Sequence, residues 1–597
     1  MTWLGMPRLN LREEGGLASA VMVALTGLLS FWAGLFAIRG SNDPWWHLKT
    51  GQVLFEYMRE HGFAFPPYDV FTFTGSETYW VNHEWLAQLI FYGVYALGGL
   101  PLAIAFKALL LSLTVMLLMG YLVRRGCPAL AAAPVALLAV LAMHGTLFLR
   151  PPMFTYLFVV LFLHWLLSLD GARRFWAWLA AGVLLVFVWV NLHGGALLGI
   201  VLAGFWWLEQ MAVHGGRLLA EGDAAARKRV IQACAFLGAI TAASFINPFT
   251  YHIHLLPGHV LSDEFLVQNL GELQSPDFAQ HPAFELMLIG MLLLPLVRRG
   301  AWRGYEILAA VFLFHQSLLF LRHIPLAALL AAPLLGMGLS AGRGALTAWL
   351  ERLPSHGGGV NTALRGVKRA MGVGLDMLLV FLVIAYLFGF QPGKILWRNA
   401  ADFHHYLDGG FDPTRYPVNA VNFLLRHDVQ GPMMNGHNFA GYLIYRLSPE
   451  TMKVFTDSRF DLWGSRYVKE EVAVSAAAPW PSGAYDEAGE WVSFRDVTAR
   501  EDLASLAQSG RFAELQAWYE SGLPYWRYVL QTYDINFIFF YDNRRIDTVL
   551  RETYHGWHLV FHEKGYVIWM RATEANRPVL ERFAMTHREQ LASIGQA

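Results

Sequence analysis

Charged residues are scarce in this sequence. Asp, Glu, Lys and Arg make up 15% of the 597 residues, whereas 55% are hydrophobic. The mean hydropathy is +0.37. Soluble domains contain about 25% charged residues, so this composition argues against a soluble protein of such length. It favours a protein that crosses a membrane several times.

Cysteine and net charge are also lacking. Cys127 and Cys234 are the only cysteines, and both lie at or inside apolar segments, which argues against a disulfide framework. The formal net charge is zero. Nothing in the overall charge therefore favours nucleic acid as a partner.

Long apolar runs are what the sequence has in abundance. A bilayer core requires about 20 apolar residues per helix, and the chain contains about eleven such runs. The first lacks a small-residue cleavage site and is interpreted as an uncleaved signal anchor. The run 85–97 ends in "LGGLP" and is interpreted as an interfacial or re-entrant helix. The predicted spans are 17–38, 101–123, 128–143, 153–169, 175–191, 195–213, 230–246, 283–297, 304–321, 324–340 and 371–390.

Basic residues predict the orientation of these spans. Loops that alternate along the chain are rich in arginine, as in Arg124–Arg125 and Arg227–Lys228–Arg229, whereas the intervening loops contain few basic residues. The positive-inside rule then places the N-terminus in the cytoplasm. The loop 39–100 and everything after residue 390 are predicted to be extracytoplasmic.

Two domains are predicted from the change in hydropathy near residue 390. Residues 1–390 form the transmembrane domain, in which 341–370 is a basic cytoplasmic linker. Residues 391–597 lack a long apolar run. Short apolar patches ("GYLIYRL", "KVFTD", "INFIFFYD", "WHLVFHEKGYVIWMR") indicate strands, and 500–520 is predicted to be helical. Strands that alternate with helices predict an extracytoplasmic α/β domain.

Polar side chains that could do chemistry gather in the predicted extracytoplasmic loops. Each has a structural alternative: Asp43 as a turn or capping residue, Trp45 and Trp46 as an interfacial belt, Arg150 and Arg322 as anchors that reach the headgroups. His252 and His254 lack a spaced third ligand for a metal. The alternatives do not explain why carboxylates, cations and histidines recur in nearly every outer loop.

The recurrence favours group transfer outside the membrane. No ATP is available there, so the donor must arrive activated, as a sugar on a polyprenyl phosphate does. Cations would hold the leaving phosphate, and a carboxylate would take the acceptor's proton. A transporter, or an envelope-assembly scaffold with a periplasmic binding domain, is the alternative. The scarcity of charge near mid-span and the lack of paired broken helices argue against transport.

Several motifs resemble a bacterial group of GT-C-like integral-membrane glycosyltransferases. They are "DPWWHLKTGQVLFE", "PPYDVFTFT", "WVNHEWLAQLIFY", "LRPPMFTYLF", "NLHGG", "NPF", "GYLIYRL" and "KVFTDSRFDLWG". GT-C enzymes include protein O-mannosyltransferases, aminoarabinose transferases and oligosaccharyltransferase catalytic subunits. The tryptophan-tryptophan-aspartate signature of the last is missing, which argues against transfer to asparagine.

The resemblance implies a site, a location and partners. In GT-C enzymes an acid in the first extracytoplasmic loop acts as the catalytic base or as a metal-site acid, and Asp43 matches it. A second, adjacent acid is often present there. In this chain the neighbours are Asn42 and Pro44, so Asp69 or Glu84 would supply the second carboxylate. No cofactor is implied with certainty, and a divalent metal stays open. The implied partners are a polyprenyl-phosphate sugar, membrane lipids and an acceptor glycan, lipid or protein, in the bacterial inner membrane.

The predicted catalytic residues are Asp43, Asp69 and Glu84. The predicted donor or phosphate residues are His47, Lys107, Arg150, Arg322 and His323. The predicted substrate residues are Trp45, Trp46, His83, Asn191, His193 and Glu272.

Two loops of the C-terminal domain complete the prediction. "NGHNFAGY" and "DSRFDLWG" contain polar residues in loop-like stretches, where binding residues tend to lie. Asp457 and Arg459 are expected to form a structural ion pair. The functional alternative is that these loops select the acceptor. Their polar residues are Asn435, His437, Asp457, Arg459 and Asp461.

Overall fold

The chain is mostly helical. A computed structural model describes residues 16–36, 42–169, 174–297, 303–351 and 416–585, except 488, 490, 495–499, 554 and 555. Helices before residue 352 are α1 (Gly16–Phe36), α2 (Asp43–His61), α3 (Trp85–Arg124), α4 (Ala129–Met143), α5 (Pro152–Leu169), α6 (Phe175–Leu192), α7 (Leu197–Glu221), α8 (Ala224–Ser244), α9 (His252–Ser262), α10 (Glu264–Asn269), α11 (Pro282–Val297), α12 (Gly304–Leu319) and α13 (Ile324–Glu351). Helices after residue 415 are α14 (Val418–Arg426), α15 (Ala440–Leu447), α16 (Phe460–Trp463), α17 (Arg466–Ser475), α18 (Arg500–Gln508), α19 (Ala513–Ser521), α20 (Tyr525–Thr532), α21 (Arg545–Thr553) and α22 (Arg577–Phe583).

Seven helical segments in the described part of the chain are long and apolar enough to cross a membrane. They are Gly16–Leu35, Trp85–Arg124, Ala129–Thr146, Pro152–Leu169, Phe175–Leu192, Gly194–Glu221 and Leu321–Ala345. The predicted spans 283–297 and 304–321 are shorter apolar helices. The predicted span 230–246 lies in α8, whose start contains Arg227, Lys228 and Arg229. The predicted span 371–390 lies outside the described residues. The protein is therefore a multi-pass membrane protein.

The break predicted after residue 97 is present inside α3. Gly98 and Gly99 have non-helical backbone angles, and Gly99 adopts a φ of +66°. That φ is in the left-handed region, which glycine occupies without a steric penalty. Pro101 follows, where its ring fits the start of a new helix. The segment before the break is therefore a separate helix that ends at the glycines.

Contacts divide the chain into two compact units. The first unit contains residues 1–41 and 81–409. Its helices pack closely: the Ser112 hydroxyl on α3 donates a hydrogen bond of 2.8 Å to the Gly27 carbonyl on α1. The second unit contains residues 42–80 and 410–597. The loop predicted as 39–100 is thus shared between the units, and the boundary predicted at residue 390 lies outside the described residues.

The second unit is an α/β structure. Its strands are β1 (Met433–Asn435), β2 (Gly483–Tyr485), β3 (Trp491–Ser493), β4 (Phe537–Tyr541), β5 (Trp557–Glu563) and β6 (Tyr566–Arg571). Four of them form a mixed sheet in the order β1-β4-β6-β5, with β1 parallel to β4 and the other pairs antiparallel. The core beneath this sheet includes Phe455, Trp557 and Trp569, and Phe73 packs against it.

Two of the four strand predictions for this unit are wrong. "GYLIYRL" forms helix α15, because its apolar residues cover a helical face broad enough to be buried, including Tyr442, Leu443 and Leu447. "KVFTD" forms only one parallel bridge, between Val454 and Thr72. The predictions for "INFIFFYD" and "WHLVFHEKGYVIWMR" are confirmed as β4 and the β5–β6 hairpin. The helical prediction for 500–520 is confirmed as α18 and α19.

Candidate active site

Asp43 begins helix α2 in the second unit. Its Oδ1 atom accepts hydrogen bonds from the Ser458 hydroxyl at 2.8 Å and from the Trp46 indole at 3.3 Å. The adjacent Asn42 amide donates to the Asn438 carbonyl at 2.5 Å. The two polar loops singled out in the sequence therefore contact the start of α2, one at Asn42 and the other at Asp43. Ser458 was missed, although it stands between the two ionic residues of "DSR" that were considered.

The other predicted residues of this helix are buried. Trp45 is 2% exposed, Trp46 7% and His47 2%. Trp45 packs against Tyr416, with ring centroids 5.3 Å apart, and Trp46 lies 3.7 Å from the His47 ring. Burial of this extent leaves little ring surface for a sugar. It favours a packing role for the tryptophan pair and for His47.

Asp69 belongs to a buried ion-pair triad with Asp457 and Arg459. The Arg459 guanidinium donates at 2.7 Å to Asp69 Oδ1 and to Asp457 Oδ2, and all three side chains are at most 1% exposed. It also lies 5.0 Å from the ring centroids of Phe71 and Trp80. The expected ion pair between Asp457 and Arg459 is thus present. Such complete burial and pairing favour a structural role for Asp69.

Glu84 lies between two histidines in the first unit. Its Oε1 is 3.5 Å from His193 Nε2 and 3.8 Å from His83 Nε2. The Nδ1 atom of His193 accepts the Gly195 backbone N–H at 2.9 Å. A backbone N–H can only donate, so Nδ1 is unprotonated and neutral His193 bears its proton on Nε2, which faces Glu84. This arrangement stabilises a negative charge on the Glu84 carboxylate.

Residues around "NLHGG" hold His193 in place. The Thr155 hydroxyl on α5 is 2.8 Å from His193 Nδ1 and accepts the Trp189 indole N–H at 3.0 Å. Asn191 accepts the Trp85 indole N–H at 3.2 Å. Thr155 was not predicted as a site residue, although it lies in the motif "LRPPMFTYLF". The loop after α6 is therefore tied both to α5 and to the start of α3.

Gly195 is required by this close packing. A Cβ atom there would lie 2.5 Å from the Thr155 hydroxyl oxygen and 2.6 Å from His193 Nδ1. We expect Gly195→Ala to displace His193 and destabilise the protein by about 1–3 kcal/mol. The matched control is Gly204→Ala on α7, where nothing lies within 4 Å of the added atom. Melting temperatures of both variants in one detergent test this; equal values would contradict it.

Arg150 and Arg322 converge on one carboxylate in the first unit. Arg150 Nη1 is 3.6 Å from Glu272 Oε2, and Arg322 Nη1 is 3.6 Å from Glu272 Oε1. The arginine side chains are 27% and 40% exposed. Glu272 therefore lies within ion-pair distance of both guanidinium groups. The result is a pair of partly exposed cations.

The remaining two predicted phosphate residues are less accessible. Lys107 is 1% exposed, and its ammonium group donates to the Leu147 carbonyl at 3.0 Å. His323 lies beside Arg322, and its Nδ1 atom has no hydrogen-bond partner among the described residues. Lys107 therefore supports the loop that precedes α5. His323 stays a candidate for contact with a ligand.

The resemblance leaves open whether the site binds a divalent metal. Within the ranges that the structure describes, no three His, Cys, Asp or Glu side chains are grouped to hold an ion.

Comparison with known proteins shows the fold. No protein-family model matches the chain, and no curated protein matches its sequence. The chain resembles the archaeal oligosaccharyltransferase AglB from Archaeoglobus fulgidus, solved with an inhibitory peptide and a dolichol-phosphate, at TM-score 0.50 and 11% identity over 93% of this chain and 74% of AglB. It also resembles ArnT from Cupriavidus metallidurans, at TM-score 0.45 and 14% identity over 93% of this chain and 98% of ArnT. The predicted GT-C-like fold is confirmed.

Proposed function

We propose that this protein is a membrane glycosyltransferase that uses a polyprenyl-phosphate-linked sugar. An acceptor hydroxyl attacks the anomeric carbon of the donor. The new bond joins the acceptor oxygen to that carbon, the bond from the carbon to the phosphate oxygen breaks, and the phosphate leaves on the lipid. The hydroxyl proton passes to a carboxylate, for which Asp43 is the first candidate.

The arginine pair is the observation on which this proposal rests. Arg150 and Arg322 lie 3.6 Å from the two oxygens of Glu272 and remain partly exposed. A guanidinium offers several N–H donors in a fixed plane and can hold phosphate oxygens in a two-pronged way. Two of them would stabilise the charge that develops on the leaving phosphate. Arginines that anchored to lipid headgroups would not need a shared carboxylate.

The fold adds support of a general kind. AglB was solved with a dolichol-phosphate, a polyprenyl phosphate of the class proposed here. Fold alone does not determine activity, so the proposal depends on the site. The side of the membrane is inferred from the arginine-rich loops, which point to extracytoplasmic chemistry. The bacterial inner membrane is what the motif resemblance implies. The acceptor is proposed to be an envelope glycan, lipid or protein.

Two carboxylates are proposed as acceptors of the proton. The Oδ1 atom of Asp43 accepts hydrogen bonds from Ser458 and Trp46, which fix the orientation of the carboxylate. Glu84 is 9% exposed and lies 3.5 Å from His193 Nε2 and 3.8 Å from His83 Nε2. Asp43 is preferred because it is the acid that matches the first-loop position of GT-C enzymes. Glu84 is the second candidate.

Donor retention tests the proposal. We expect the purified wild-type protein to retain a polyprenyl phosphate, and Arg322→Lys to retain about tenfold less, because lysine keeps the charge but loses the planar donors. Arg150→Lys should act in the same direction. Arg217→Lys, at an exposed arginine of α7, is the control and should match wild type. Mass spectrometry of extracted lipid, per mole of protein, measures the effect. Equal lipid in all four proteins would contradict a phosphate-binding role.

A further inference from the structure

The second unit contains a cavity that none of the proposed chemistry uses. It lies between α17, the β2–β3 hairpin, α19 and α20, and its enclosed volume is about 150 Å³. Its walls combine aromatic rings with charged and hydroxyl groups, which is the usual composition of small-molecule sites.

Aromatic rings form much of the wall. Tyr485 and Trp491 meet edge to face at 5.0 Å, and Tyr525 lies roughly parallel to Tyr528 at 6.2 Å. Tyr533 also lines the cavity. Tyrosine presents an apolar face and a hydroxyl that both donates and accepts. The cavity can therefore contact the C–H face of a ring and bond its hydroxyls.

Charges around the cavity nearly balance. Arg466 is paired with Glu514 at 2.6 Å. The Lys469 ammonium lies 3.8 Å from the centroid of the Trp491 ring, a cation–π contact that satisfies much of its charge. A cavity dominated by cations would favour an anion, and one dominated by carboxylates would favour an amine. Because Arg466 is paired with Glu514 and Lys469 lies over Trp491, neither cation calls for an anionic ligand, which favours a neutral one.

Glu470 lines the cavity and is partly buried. Its Oε2 atom has no hydrogen-bond partner among the described residues. Burial raises the pKa of Glu470 to about 7, while the Tyr533 hydroxyl, which bonds this carboxyl, lowers it. Near neutral pH a large share of the carboxyl groups is therefore protonated and can donate a hydrogen bond as well as accept one. A buried polar atom of this kind needs a partner, and a ligand hydroxyl would be one.

We infer that this cavity binds a neutral sugar ring. The aromatic rings pack on the sugar's C–H face, and Glu470 with Tyr528 bonds its hydroxyls. If the chain is a glycosyltransferase as proposed above, the bound sugar belongs to the acceptor glycan. The inference goes beyond the proposed function by assigning the acceptor a neutral saccharide and a subsite in the second unit.

Direct binding to the full-length protein in detergent tests this inference. The probes are cellobiose, mannobiose and N,N′-diacetylchitobiose, with glucuronic acid and glucosamine as charged comparators. Isothermal titration should give a dissociation constant of about 1 mM or lower for at least one neutral disaccharide. Tyr528→Phe should weaken that disaccharide about fivefold, because one hydroxyl is lost without a change of shape.

Matched variants make the result decisive. Tyr519→Phe, on the neighbouring helix but outside the cavity wall, should bind like wild type. Glu470→Ala should weaken binding about tenfold, whereas Glu470→Gln should keep most of it because an amide also donates and accepts. No saturable binding of any neutral disaccharide, stronger binding of a charged comparator, or equal affinity in Tyr528→Phe would overturn the inference.

The outcome is independent of the proposed activity. Loss of sugar binding in Tyr528→Phe, in a protein that retains no polyprenyl phosphate, would support the sugar site and count against the transferase. A protein that retains the lipid but binds none of the neutral disaccharides would count against the sugar site alone.

Discussion

Asp43→Asn is expected to lower the rate of sugar transfer at least about a hundredfold, the lower end of what a positioned general base contributes. The amide has the shape of the carboxylate but cannot take the acceptor's proton. It can still accept from the Ser458 hydroxyl, which now bonds Asp43 at 2.8 Å, so α2 should keep its position. Transfer from a purified polyprenyl-phosphate sugar, measured with equal amounts of folded protein, gives the ratio.

Two further variants separate the candidate bases. Glu60→Gln, at an exposed glutamate of the same helix, is the control and should transfer at the wild-type rate. Glu84→Gln should be tested beside Asp43→Asn. Full activity in Asp43→Asn would mean that Asp43 is a turn residue bonded to Ser458. If Glu84→Gln were then inactive, Glu84 would be the base.

Local patterns in the sequence were sufficient for much of the fold. The apolar runs predicted the approximate position of each candidate span in the described residues, because the length of a membrane helix is set by the bilayer. The glycines after residue 97 gave the break in α3. "WHLVFHEKGYVIWMR" gave a hairpin, because two apolar stretches flank Lys564 and Gly565. In each case the signal lies within a few residues of the structure it predicts.

Contacts between distant residues had no such signal. Arg459 pairs with Asp69, which is 390 positions away. Nothing local to "PPYDVFTFT" shows that this segment belongs to a compact unit with the C-terminal residues. "GYLIYRL" was mistaken for a strand because a buried helix has apolar residues on most faces, which obscures its period.

In the candidate site, too, local signals were visible in the sequence and contacts between distant residues were not. The positive-inside rule placed Arg150 and Arg322 on one side of the membrane, and the structure shows that they share Glu272. Thr155 and Ser458 were missed because a hydroxyl in an apolar or loop sequence has no distinguishing pattern. Their importance lies in what they contact, His193 and Asp43. A single sequence reveals ionic candidates more readily than the neutral groups that orient them.

Arg459→Met is expected to destabilise the second unit by about 3–5 kcal/mol, the usual result of removing one partner from a buried ion pair. Methionine fills a similar volume but leaves Asp69 and Asp457 buried with like charges. For a unit of this size the melting temperature should fall by about 10 °C. Melting of the full-length protein in detergent, combined with limited proteolysis, measures the loss.

The dependence of this loss on pH identifies its cause. Burial already raises the pKa of Asp457, even though the charge of Arg459 lowers it, so removal of Arg459 should raise it further. A carboxyl whose pKa is higher in the folded state than in the unfolded state stabilises the fold least at high pH. The deficit of Arg459→Met should therefore be full at neutral pH and shrink as the pH falls and the Asp457 carboxyl becomes protonated. Arg577→Met, at an arginine that is 63% exposed in its ion pairs, is the control and should change the melting temperature little at any pH. A deficit in Arg459→Met that did not vary with pH would indicate lost packing against Phe71 and Trp80 instead of charge repulsion.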